Sequence, residues 1–362
     1  MAYTPLERTM TTQSHALRKP SDPSPRYVQE HPIEHATIKE VAPGVHWVRM
    51  PLPIVSLEHI NLWVLDDGED FVVVDTGFVS SQTRDNWTAI FDGPLAGRHA
   101  NRLVCTHFHN DHASTAGWIM QRMGCDFHMT QGEYLSASAA FGGHGVDRRA
   151  QAIDLLRTNG LDPRMAADAI DFRSHFGKDI TDFPVAYNRI AEGSEISING
   201  RNWQVIIGYG HSPEHASLYC AELGVLIAGD MVLPRITTNV SVQAIEPEAN
   251  PLQWFMDSLE RHARLPADTL VLPSHGLPFY GLRERVAYLR GHHDERLKEV
   301  VEACQTPKSA ADVLPLLFRR QLTERETRIA MGEAMAHMHL LYFQGRVTRV
   351  AGTDGVRRYL RA

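Results

Sequence analysis

The stretch CTHFHNDHAS, residues 105 to 114, sets His107, His109, Asp111 and His112 almost side by side. Neutral imidazoles and ionised carboxylates are the donors that zinc and its first-row neighbours take. His107 and His109 alternate, so on an extended or turning loop both rings can point one way. Asp111 and His112 follow at once and can serve an adjacent centre. Alone, the stretch favours a metal site over a polar loop that happens to be rich in histidine. The choice depends on what else in the chain can complete a metal site.

Three later apolar runs each end on a donor. IIGYGHSPEH offers His211, VLIAGD offers Asp230 and LVLPSHG offers His275. In α/β proteins a rigid sheet commonly holds functional groups on loops outside its strand ends, leaving room for substrate. Five histidines and two aspartates from four strand ends indicate a site for two metal ions.

GVHWVRM, INLWVL and FVVVDTG are strands, and another buried strand leads from residue 98 into the histidine cluster. WIMQRMGCDFHMT reads as a helix followed by a short strand. RNWQVIIGYG, GVLIAGD and TLVLPSHG are three further runs of strand length, each closed by a glycine- or proline-marked loop. Strands mixed with helices in this way imply an α/β architecture. Residues 133–190 interrupt it as a helical insertion, with Val146, Ala150 and Ile153 at helical spacing and a break at Asn159-Gly160. Such an insertion serves as a packing or oligomer surface, or as a lid over a pocket.

From residue 283 the chain changes character. A long helix precedes a break at Pro307, and a short helix through SAADVLPLLF contains Pro315. Thr323 and Glu326 have the spacing of a capping box for a third helix that should stop at Gly345. The LYFQG string falls within that helix. RVTRVAGTDGVRRYL then reads as a two-stranded ribbon, and three helices followed by a ribbon is the order of a winged helix. The expected division is a flexible lead-in over 1–35, a catalytic domain over 36–282 and a small winged-helix-like domain over 283–362.

At 362 residues and 43% hydrophobic, the chain can bury a full core. It contains no apolar run of about 18 residues, so no membrane partner is expected. The N-terminal residues lack an export signal, and Cys105, Cys125, Cys220 and Cys304 are widely spaced, which together suggest reduced thiols and a cytoplasmic protein. The net charge of −7 argues against a general nucleic-acid binder, but it is uneven: residues 283–362 sum to +5 and the remainder to −12.

THFHNDH resembles the HxHxDH signature of the metallo-β-lactamase-fold hydrolases. GHSPEH, AGD and PSHG are similar to the family's later metal motifs, in the family's order, and VVVDTG to its early Asp-Thr-Gly motif. The resemblance covers roughly residues 41 to 290 and implies an αββα sandwich. It also implies that His107, His109 and His211 hold one metal, that Asp111, His112 and His275 hold a second, and that Asp230 bridges both. Asp75 would brace the ligand loop without being a ligand. One departure is Glu214, where the family has glycine after Gly-His-Ser/Thr-Pro.

Two such ions, zinc by default with iron or manganese as alternatives, would share a bridging water and bring its pKa towards about 7. Asp230 and Asp111 would be the catalytic carboxylates, Asp111 relaying a proton to the leaving group. Among polar neighbours, His215 is expected to hydrogen-bond near the ligands. His144 and His175 are expected at the surface of the insertion, Tyr209 in packing, and His292-His293 in surface or interdomain contact.

The subtype follows from departures. A redox di-iron relative would carry Glu where His109 stands. A glyoxalase II would show a Gly-Cys-Gly-Arg-like stretch soon after Asp230, where MVLPRITTNVSV stands instead. A secreted β-lactamase would carry an export signal. What remains is a hydrolase of a small acyl substrate, an ester, thioester or lactone. The alternative is a phosphodiesterase or ribonuclease, favoured by the +5 segment and opposed by the −12 of the site-bearing region. A DNA-binding regulator that keeps its metals is the remaining reading. The insertion and C-terminal helices offer surfaces for a homodimer.

Overall fold

The computed structural model of the chain describes residues 25–53, 57–141, 148–171, 180 and 182–362. Val146, His144 and His175 lie outside the described residues. So does most of the expected lead-in, although Arg26–Tyr27 forms a short edge strand, β1.

A first sheet is built from β2 (Ile38–Ala42), β3 (Val45–Pro51), β4 (His59–Asp67) and β5 (Asp70–Val74), an antiparallel meander. The strands β6 (Ala100–Val104), β7 (Asp126–Met129) and β8 (Asn188–Arg189) extend it in parallel. Between them run α1 (Ser81–Asp92), α2 (Asn110–Ala113), α3 (Ala116–Met123), α4 (Gln131–Phe141), α5 (Arg149–Thr158) and α6 (Pro163–Asp171). The second sheet contains β9 (Glu195–Ile198), β10 (Arg201–Gly208), β11 (His215–Cys220), β12 (Val225–Gly229), β13 (Leu270–Pro273) and β14 (Phe279–Tyr280), with β1 pairing at its edge. The helix α7 (Pro251–His262) links β12 to its parallel neighbour β13.

Three apolar layers hold this frame together. Trp47, Trp63, Val72, Val74 and Val104 of the first sheet meet Trp203, Val205, Ile207 and Leu272 of the second. On the outer face of the first sheet, Phe71 and Val73 pack with Trp87 and Ile90 of α1 and Ile119 of α3. Leu226 and Val271 cover the other outer face together with Phe255 of α7 and the C-terminal helices. The result is the αββα sandwich. It also explains the unbroken run FVVV, because β5 is buried on both faces and has no solvent side to carry polar residues.

After β14 come α8 (Leu282–Ala303), α9 (Ala310–Leu317), α10 (Glu324–Phe343), β15 (Val347–Ala351) and β16 (Arg357–Arg361), three helices and a ribbon in the order read from the sequence. Thr323 and Glu326 form the expected capping box, and Ser309 and Asp312 form a second one at α9. Pro315 sits inside α9. Leu341–Phe343 close α10, and Gly345 adopts a φ of 68° just beyond its cap.

Of the two roles expected for His293, surface or interdomain contact, the structure shows the second, with its ring edge-on to Phe255 of α7 at 6.1 Å. It is buried, with Nδ1 3.4 Å from His337 Nε2 of α10. The reason is helical phase: Val286, Leu289, His293, Leu297 and Val300 recur every three or four residues along the buried stripe of α8. The insertion packs on the C-terminal helices, where Leu156, Leu161, Ala166 and Ala169 join the cluster containing Met335 and Met338. The Ala311 amide at the start of α9 donates to Asn159 O at 3.1 Å.

Candidate metal centre

All seven residues singled out in the sequence converge at one edge of the sandwich, on loops leaving β6, β10, β12 and β13. They fall into two groups that could each hold an ion: His107, His109, His211 and Asp230, and Asp111, His112 and His275. In the first, His107 Nε2 lies 2.9 Å from His109 Nδ1 and 3.2 Å from His211 Nε2. His211 Nε2 lies 3.4 Å from Asp230 Oδ2. In the second, His275 Nε2 is 3.5 Å and His112 Nε2 3.8 Å from Asp111 Oδ2.

Asp230 faces both groups. While Oδ2 approaches His211, Oδ1 lies 3.4 Å from His275 Nε2 and 3.7 Å from His112 Nε2. Tetrahedral ligands on zinc at about 2.0–2.1 Å stand roughly 3.3 Å from one another, so these separations fit donors arranged around ions. Among the described residues, the buried His112 Nε2 and Asp230 Oδ1 have no hydrogen-bond partner, as expected of atoms whose lone pairs are reserved for a metal.

The far sides of the rings are tied down, which turns each lone pair inward. His211 Nδ1 meets Asn239 O at 2.7 Å, and His275 Nδ1 meets His59 O at 2.8 Å. His112 Nδ1 meets Asp75 Oδ2 at 2.8 Å, and Thr106 Oγ1 lies 3.0 Å from His107 Nδ1. Asp75 also accepts from the Thr106 amide at 2.7 Å, so it braces the ligand loop. Burial would lower the His112 pKa, but Asp75, Asp111 and Asp230 outweigh it and raise it to about 10. Burial opposes ionisation of Asp111, yet His112 and His275 hold its pKa at about 2.

The His215 side chain is bound to the site through the backbone of Asp230. Its Nε2 accepts from the Asp230 amide at 3.1 Å, the hydrogen-bonding position expected from the sequence. Gly229 at the end of β12 makes room: its φ is 52°, and a Cβ there would come within 2.3 Å of His215 Nε2. Tyr209 is partly exposed, with the Arg261 guanidinium over its ring.

Glu214, where the family pattern has glycine, is built into the site. Its carboxylate accepts from Gly132 N at 2.7 Å near the start of α4, and its carbonyl accepts from Thr130 Oγ1 at 2.8 Å. Its own amide donates to Glu133 Oε1 at 2.6 Å.

Three supporting residues went unseen in the sequence. Buried Glu133 accepts from Phe108 N at 2.9 Å and Ser212 Oγ at 2.6 Å, joining the loops of His107 and His211. Burial raises its pKa to about 7 despite these donors. Buried Asn61 of β4 donates to Pro273 O at 2.8 Å and Gly276 O at 2.7 Å, flanking His275, and accepts from Trp47 Nε1. His59 offers its carbonyl to His275, and its Nε2 accepts from Gly276 N at 3.1 Å. No local signal marks these residues, because most of their partners lie far along the chain.

Comparison with known proteins agrees with this geometry. The model of the metallo-beta-lactamase superfamily matches residues 55–275, and that of a metallo-beta-lactamase-like C-terminal domain matches residues 297–362. A probable metallo-hydrolase of Bacillus subtilis, YqjP, is 26% identical over 255 residues, 68% of this chain and 76% of the relative. Among solved structures, a beta-lactamase domain protein from Burkholderia ambifaria superimposes with a TM-score of 0.86 at 44% identity, covering 93% of this chain and 98% of that one. A metallo-beta-lactamase family protein from Thermus thermophilus gives 0.73 at 26% identity, covering 89% and 100%. With the family model spanning most of the chain and the motif residues gathered at one edge, the chain belongs to the metallo-beta-lactamase superfamily and is a metal-dependent hydrolase of that fold.

Proposed function

We propose that the protein is a dinuclear hydrolase that cleaves an ester, thioester or lactone bond in a small acyl substrate. The observation that carries the dinuclear reading is Asp230, whose two oxygens each face a separate set of histidines. When bound, divalent ions supply a Lewis acid and a nucleophile active near neutral pH. Zinc suits the nitrogen-rich donor set best, and iron or manganese would also be accepted.

The chain's own groups divide the remaining work. His107, His109 and His211 would hold one ion and Asp111, His112 and His275 the other, with Asp230 facing both groups. Asp111 is the most exposed of the two carboxylates and stands at the rim, in position to pass a proton to the departing group. Asp75, Glu133 and Asn61 keep the ligand loops in register, which limits reorganisation during the reaction.

Substrate class rests on electrostatics. The site-bearing residues 1–282 carry a net −12, which disfavours a polyanion at moderate salt. The +5 of residues 283–362 is the one feature favouring phosphodiester cleavage instead. The test is a plate of purified protein against a thioester, an aryl ester, a lactone and a phosphodiester. Turnover of acyl substrates alone is expected. Turnover of the phosphodiester alone would reverse the assignment and direct attention to RNA.

A further inference from the structure

Away from the metal centre, an open cleft of about 910 Å³ lies where α5, residues 244–248 and the β15–β16 ribbon meet. None of the seven candidate ligands lines it. Its floor is set by the ribbon register. Arg349 pairs with Tyr359 and Ala351 with Arg357, so Arg349 and Arg357 are diagonal neighbours on one face.

Both arginines turn to one carboxylate. Arg349 Nη1 lies 2.5 Å from Glu248 Oε2, and Arg357 Nη2 lies 2.9 Å from Glu248 Oε1. One negative charge therefore answers two positive ones. The other carboxylate on the lining, Asp154, is held by Arg157 at 2.8 Å. Arg349 Nε and Nη2 and Arg357 Nη1 are buried on the ribbon face they share with the Tyr359 hydroxyl, which faces both guanidiniums. The Arg349 guanidinium is fixed in its plane, 4.1 Å above the Tyr342 ring.

Two guanidiniums sharing one carboxylate, with one positive charge in excess, fit a further carboxylate or phosphate that competes with Glu248 for Arg349 Nη1 and Arg357 Nη2. Leu155, Pro247 and Val356 make much of the remaining wall apolar. A free inorganic ion would leave that wall unused, and the cleft's size matches a small molecule.

We propose that this cleft binds a small organic anion, its carboxylate or phosphate on Arg349 and Arg357 and its apolar part against Leu155 and Val356. Calorimetric titration of the full chain with octyl phosphate, octanoate, 1-octanol and inorganic phosphate tests this. One or both octyl anions should bind at one per chain, and whichever binds tighter names the head group. 1-Octanol and inorganic phosphate should each bind at least about tenfold more weakly. Arg357→Gln should weaken the anion about tenfold or more. Glu248→Gln removes the competing carboxylate and should tighten it, a gain that a misfolded variant cannot mimic. His109→Ala, altered only at the metal centre, should bind as the parent does.

Several results would overturn the proposal: no binding of either octyl anion, unchanged affinity in Arg357→Gln, no tightening in Glu248→Gln, or loss of binding in His109→Ala. Displacement of octyl phosphate by a short RNA at comparable concentration would also overturn it, by making the arginines a grip for nucleic acid.

Discussion

Glu133 Oε1 accepts the Ser212 hydroxyl at 2.6 Å, and through this contact the loop bearing His211 is fastened to the one bearing His107 and His109. The two residues are 79 positions apart and belong to different halves of the sandwich. Neither is a candidate ligand. Together they fix the distance between three residues that are.

Removing that fastening should loosen the centre. Glu133→Ala leaves the Phe108 and Glu214 amides and the Ser212 hydroxyl without their acceptor. Loss of such support typically lowers metal affinity about 10–100-fold. Competition with a chromogenic chelator measures it, and parent-like affinity would mean the loops hold themselves.

Asn61 should matter to folding as well as to His275. Asn61→Ala strands the Trp47 indole N–H and two carbonyls beside His275. Each buried group left unpaired costs about 1–3 kcal/mol, so a loss of about 3 kcal/mol or more is expected in urea unfolding. A loss under about 0.5 kcal/mol, the usual range for surface changes, would show that water replaces the side chain.

Gly229→Ala should act through His215. Its φ of 52° strains any side chain, and the new Cβ would collide with the ring that accepts the Asp230 amide. Lower thermal stability and reduced metal content are expected together. Reduced stability with full metal content would separate His215 from the positioning of Asp230.

Much of this site was legible in the sequence, because ligands at strand ends come in short motifs whose residue types have few other uses. Asp75 and His215 were legible for the same reason, lying within or beside those motifs. Glu133, Asn61 and His59 were not. Each is an ordinary polar residue whose role is created by a partner brought close only by the packing of one sheet on the other. For His293 the sequence left surface and interdomain contact open, because the helical phase that buries it against Phe255 is set by the apolar residues around it. Glu214 seemed a departure until α4 supplied the amide its carboxylate accepts from.

Stability should depend on pH through Glu333 of α10, whose pKa burial raises from 4.5 to about 7. Between those values the folded chain keeps a proton that the unfolded chain has released, so stability falls as pH rises from about 4.5 to about 7 and this contribution is flat above. Glu333→Gln should remove that fall. Urea unfolding at pH 5 and pH 8 should show the variant gaining on the parent at the higher pH. An equal difference at both would assign the dependence to other groups.

In this reading Asp230 joins two ions in one hydrolytic centre. Its most direct test is elemental analysis of the purified parent and of Asp230→Ala, alongside turnover of an acyl substrate. Two metal ions per chain are expected in the parent, one or none in the variant, and loss of hydrolysis with the fold retained. Two ions and full turnover in Asp230→Ala would contradict it.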